Sequence, residues 1–143
     1  MRLLTKTAAF ALALVATVAI AAEATDPTVK ARQELMDVIG MNTKVLGEMA
    51  GGKIAFDAAA AGAAEAALVA ASADIAAKFE PQATDPKSEA KPEIWTNWAD
   101  YQAKATALNT AATALDATTV EGVQAGMAGV GGSCKACHSA YRL

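Results

Sequence analysis

The chain closes with CKACHSAYRL, residues 134–143, and these ten positions hold both of its cysteines and its single histidine. Cys134, Cys137 and His138 stand at the C-x-x-C-H spacing through which a c-type haem is attached. The chemistry explains the spacing. Two thiols add across the two vinyl groups of one porphyrin edge to form thioethers, and a helical turn sets them three residues apart. The adjacent imidazole then reaches the iron from below the ring. Other uses of the two cysteines fit less well. Cysteines three apart in a helix are poorly placed for a disulfide, and a thioredoxin-like dithiol follows a strand, which this sequence does not offer. A structural zinc site needs four ligands, and no second Cys or His cluster exists. The three residues are read as one attachment site for one haem c, with His138 as an iron ligand.

Upstream of the motif, Val120, Val123, Met127 and Val130 recur at spacings of three and four, behind a capping box, Thr118-x-x-Glu121. A preceding segment opens at Pro92 and carries Ile94, Trp98, Tyr101, Ala105, Leu108, Ala112 and Leu115 at the same period. Before it lies an alanine-dominated segment that Asp57 caps, with Leu68, Ile75 and Phe79 as its bulky residues. The first segment opens with Asp26-Pro27, a capping residue and a proline at the first helical position. It carries two adjoining stripes, Val29–Arg32–Met36–Ile39–Thr43–Leu46–Ala50 and Leu35–Val38–Asn42–Val45–Met49, expected to form one broad buried face. The breaks are Gly51-Gly52, the stretch from Pro81 to Pro92, and Asp116 to Thr119. No window alternates β-branched residues, so no sheet is expected. The fold class is all-α, an antiparallel up-down-up-down four-helix bundle around the covalently bound haem. The connection from Glu80 to Lys91 is the long one and is expected to be the most mobile.

The N-terminus fixes the compartment. Arg2 and Lys6 precede an apolar run from Thr7 to Ala22, and Ala19-Ile20-Ala21 supplies small residues for cleavage. Residues 1–21 read as a secretory signal peptide and 22–143 as the mature cytochrome domain. The run is near the minimum spanning length of roughly 17–20 residues, and no membrane insertion is expected after cleavage. Export places the chain in an oxidising compartment, where two free thiols are not a default choice. Loss of Arg2 and Lys6 takes the formal charge from −3 to about −5, which argues against a nucleic-acid partner.

Several stretches together resemble a known family. The N-terminal Arg32-x-x-x-Met36, Ala55-Phe56-Asp57-Ala58-Ala59, Lys91-Pro92-Glu93-Ile94-Trp95 and the closing Gly-x-Cys-Lys-Ala-Cys-His-x-x-Tyr-Arg are similar to those of the class II c-type cytochromes. That group includes cytochrome c prime and its low-spin relatives. The resemblance spans nearly all of the mature chain, and its terminal motif is the most specific part. It implies an antiparallel four-helix bundle with the haem inside near one end, and a bacterial periplasmic electron carrier or gas-binding protein.

The start of the first helix lies beside the end of the fourth in such a bundle. Met36 is about nine residues in, or roughly 13 Å, so it can face His138 across one porphyrin. Its thioether is a soft donor suited to iron. The resemblance leaves two roles open: the sixth ligand, as in the low-spin relatives, or a side chain crowding a vacant sixth site, as in cytochrome c prime. The Leu35-Met36 pair, with Gly40 one turn on, looks more like the low-spin group. Arg32 interrupts an apolar stripe, and a buried guanidinium needs a partner. A haem propionate would serve, and the family carries its Arg for that purpose; the alternative is an Arg snorkelling out from the end of the bundle. Arg142 shares the face of His138; the resemblance places it near the proximal imidazole, while a helix-end cation offsetting the macrodipole is the equal alternative. Tyr141 and Trp95 are read as pocket walls or core. Gly131 and Gly132 are read as permitting close approach of the porphyrin or a facing helix, and Lys135 as solvated surface.

The leading expectation is a periplasmic monohaem electron-transfer protein, not an enzyme, with His138 and Met36 as metal ligands and redox proteins as partners. The alternative is a five-coordinate protein that binds nitric oxide or carbon monoxide. A homodimer through the first two helices is implied by the family and permitted by the Ala- and Gly-rich second helix. The acidic balance would favour a basic partner.

Overall fold

A computed structural model describes residues 23–143. The signal-peptide assignment, residues 1–21, lies outside the described residues. Six helices follow in order: α1 Pro27–Ala50, α2 Ala58–Ala73, α3 Ile75–Phe79, α4 Glu93–Thr96, α5 Trp98–Thr113 and α6 Val120–Tyr141. The long helices pack in the ring α1–α2–α5–α6, with α6 returning to α1. The chain is the expected all-α four-helix bundle, and among the described residues the sole β feature is an isolated bridge, Ala90 to Arg142. No helix of the described residues is long and apolar enough to cross a membrane.

Local chemistry sets the boundaries. Asp26 caps α1 by accepting from the N–H groups of Thr28 and Val29 at 2.8 and 3.0 Å, ahead of Pro27. Gly52 then reverses the chain at φ +67°, where a side chain would be strained. Asp57 caps α2 through the Ala60 N–H as expected. The start of α6 is shifted by one residue. Asp116 captures both the N–H and the hydroxyl of Thr118, so Thr119, not Thr118, accepts from the Gly122 N–H at 3.0 Å. Two expected single helices are each split in two. The second breaks at Asp74, and the third at Asn97, whose φ/ψ of −117°/41° leaves the helical region.

The broad buried face expected of α1 is half of what the stripes implied. Val29, Arg32, Ile39, Leu46 and Met49 are buried, whereas Val38 of the second stripe is 37% exposed. Packing against α2 on one side and α6 on the other covers the first stripe and leaves the second partly bare. No facing helix closes on Gly131 and Gly132, which are exposed and where a Cβ would meet no protein atom within 4 Å. A Cβ on Gly122 would instead lie 2.5 Å from the Asp116 carbonyl oxygen and one on Gly126 2.7 Å from Leu115 Cγ, so these two glycines let α6 pack against the turn that follows α5.

The long connection is a strap rather than a slack loop. Asp85 accepts from the N–H groups of Thr25, Asp26 and Lys87, and Gln33 donates to the Lys87 carbonyl. At its far end Lys91 N–H donates to the Tyr141 carbonyl and Leu143 N–H to that of Glu89. The strap therefore ties the start of α1 to the end of α6. The N–H groups of Asp26, Lys87 and Thr25 hold the Asp85 carboxyl down at about 2, against 3.8 ordinarily. A depressed carboxyl stabilises the fold above its ordinary pKa and ceases to do so as pH falls through its folded value. Asp85→Ala is thus expected to melt below the wild type at pH 7, with the gap closing between pH 4 and about 2. Coincident melting curves at neutral pH would show that the strap anchor is idle.

Candidate haem site

On α6, Cys134, Cys137 and His138 fall at i, i+3 and i+4, which a 3.6-residue period places on one face. Both thiols are free and half-buried, and burial pushes their pKa values up, with the Lys104 cation opposing this at Cys137. His138 is lowered by burial and then by the Arg142 cation, with the Glu89 carboxylate acting the other way, so its imidazole is free to serve as a ligand. All three residues line a cavity of about 630 Å³. Val29, Met36 and Ile39 of α1 line it, as do Tyr101, Ala105 and Leu108 of α5. Among the described residues no cluster of three or more His, Cys, Asp or Glu is arranged to hold a bare metal ion.

Met36 comes to this cavity from α1, half-buried, as the expected placement required. Arg32 also lines it and is 3% exposed. Its Nε donates to the Lys78 carbonyl at 3.1 Å and its Nη2 to that of Pro81. The guanidinium lies over both the Phe79 and Trp95 rings, 5.1 Å from each centroid. Trp95 is thereby a brace for Arg32, held by its own indole N–H donating to the Phe79 carbonyl at 2.8 Å. Burial draws the Arg32 pKa down, yet a guanidinium stays charged. Among the described residues its buried Nη1 has no hydrogen-bond partner, nor has Thr43 Oγ1 on the same cavity.

Tyr141 is buried and packs edge-on against Tyr101, their centroids 5.3 Å apart, as a wall of the site. Its hydroxyl donates to Asp100 Oδ2 at 2.5 Å, which with burial pushes its pKa up to about 12. Arg142 lines the cavity beside His138, and its guanidinium pairs with Glu89 of the strap at 2.5 Å. The strap residues Lys87 to Ala90 were missed by sequence reasoning, as was Lys104. Nothing in the strap's local composition marks it as a cavity wall.

The residues present suit a haem. Two thiols and an imidazole converge from one turn of helix onto a largely apolar chamber, and a buried cation beside it has one donor unspent. Comparison with known proteins agrees. A family model described as Cytochrome C' matches residues 27–142. The chain belongs to the cytochrome c prime family. A cytochrome c-556 from Agrobacterium tumefaciens (strain apple 185) is 38% identical over 117 residues, spanning 79% of this chain and 92% of that protein. The solved cytochrome c' from "Rhodobacter Spheriodes" superposes with a TM-score of 0.75 at 30% identity, over 81% of this chain and 95% of that one. A mutant of cytochrome c prime from Alcaligenes xylosoxidans, solved as its nitric oxide complex, superposes with a TM-score of 0.72 at 32% identity, over 80% and 93%.

The chain is therefore a c-type cytochrome with one haem c attached through Cys134 and Cys137. Replacing both cysteines with Ala should leave any associated haem extractable into acidified organic solvent, whereas the wild type retains it. Haem that stays with the double variant would contradict the attachment.

Proposed function

We propose that this cytochrome is a periplasmic electron carrier, not an enzyme, whose iron is held by His138 and Met36. The observation that carries this reading is the position of Met36. It is half-buried on α1 and lines the same cavity as His138 of the adjoining α6. When bound, the haem supplies a one-electron Fe(III)/Fe(II) couple. Met36 offers a soft thioether, which favours the reduced state and raises the potential. His138 offers a neutral nitrogen, and the apolar walls from α1 and α5 exclude water, which sharpens every nearby charge. Redox proteins of the same compartment are the partners of a carrier.

Met36→Leu separates the carrier from a gas binder such as the nitric oxide complex of the Alcaligenes relative suggests. The swap conserves volume and should cost less than about 1.5 kcal/mol in stability. Wild type is expected to be low-spin in both oxidation states and slow to take up carbon monoxide. The variant should be high-spin, bind carbon monoxide readily and show a lower potential. A wild type that is already high-spin, and that Met36→Leu barely alters, has a vacant sixth position, and gas binding would replace electron transfer.

The unspent Nη1 of Arg32 supports a contact with a haem propionate, the acceptor that would complete its bonding. A cation there disfavours the more positive ferric state, so Arg32→Gln should lower the reduction potential. An unchanged potential at low ionic strength would confine Arg32 to bracing Phe79, Trp95 and the strap.

A further inference from the structure

A metal-bound histidine almost always donates its second ring N–H to a carboxylate, a carbonyl or water, and that partner orients the ring and raises its basicity. The strap carries one carboxylate, that of Glu89, on the cavity that His138 lines from α6. The backbone fixes their relation. Leu143 N–H donates to the Glu89 carbonyl at 2.9 Å, Lys91 N–H to the Tyr141 carbonyl at 3.0 Å, and Arg142 N–H to the His138 carbonyl at 3.0 Å. The bridge between Ala90 and Arg142 sets the register of these segments. Arg142 then holds the Glu89 side chain, with Nε and Nη2 both on the same oxygen, Oε2. Oε1 is left for another donor.

We propose that Glu89 Oε1 accepts a hydrogen bond from the imidazole nitrogen of His138 that faces away from the iron. Glu89 is then the positioning residue of the proximal ligand, with Arg142 as the clamp that aims its carboxylate. This rests on the reading of His138 as an iron ligand. Arg142, just past the end of α6, and Glu89 of the strap line the cavity together with His138. A carboxylate partner makes the imidazole a stronger donor, strengthens its bond to iron, lowers the potential and resists displacement from that side. Arg142 moderates this by sharing the carboxylate. The strap thus does more than join two helices: it supplies one outer-shell group that neither α1 nor α6 carries.

The iron–histidine stretch of the reduced holoprotein, recorded by resonance Raman just after photolysis of its carbon monoxide adduct, tests this whether or not Met36 is a ligand. In Glu89→Gln the band should fall in frequency and the reduction potential should rise. In Arg142→Gln the carboxylate remains, so the band should hold or rise while the potential falls for want of a nearby cation. Glu89→Gln keeps the backbone bonds of Glu89 and Lys91, and a melting curve near that of wild type will show the strap in place. A band unmoved in Glu89→Gln, or lowered equally by both substitutions as a mere latch would do, overturns the proposal. Absence of any iron–histidine band, in wild type as in the variants, would overturn the ligand assignment itself and the proposal with it.

Discussion

A void is the constraint on which this bundle turns. Protein interiors are packed like organic crystals, yet α1, α5 and α6 leave a largely apolar chamber of about 630 Å³ between them. Its walls are apolar side chains of α1 and α5 that a haem attached at Cys134 and Cys137 would cover, so the group that the motif binds would also complete the packing of the bundle.

The walls of that chamber are held by a few polar commitments. Arg32 is the central one. It binds the Lys78 and Pro81 carbonyls and lies over Phe79 and Trp95, fixing the exit from α3 and the return at α4 around a single cation. Burying a guanidinium this deeply is unfavourable unless its donors are satisfied, and Nη1 remains unspent on the chain. The strap supplies the second commitment. Asp85 anchors it at the start of α1 and Glu89 at the end of α6. The helices bearing Met36 and His138 are thus joined both by direct packing and through the strap.

Much of this was legible in the sequence because it repeats. The C-x-x-C-H spacing is short-range chemistry, and the stripe through Val29, Arg32, Met36 and Ile39 follows the helical period, so haem attachment, bundle and cavity-facing residues of α1 could be read directly. Periodicity did not say how much of the neighbouring stripe would be covered, and Val38 lies exposed because α2 and α6 close over the other side. The rest depends on side chains that bond to backbone, which leaves no periodic trace. Asp116 takes the Thr118 hydroxyl and moves the α6 cap to Thr119. Asn97 breaks the third helix, and the order of residues 80–92 comes from carbonyls and N–H groups that any composition supplies. Nothing in the sequence around Glu89 marks it as the partner of Arg142, which only the course of the strap provides.

Ligation of iron from α1 and α6 together would join the fold to the function, since it makes the spacing of two packed helices determine the electronic state of the metal. X-ray absorption at the iron edge of the wild-type holoprotein measures it most directly, because sulfur and nitrogen neighbours scatter differently. A sulfur is expected in the first coordination shell in both oxidation states, the thioether of Met36, together with the porphyrin and His138 nitrogens. A shell of nitrogens alone would contradict it and leave Met36 as a wall of the chamber.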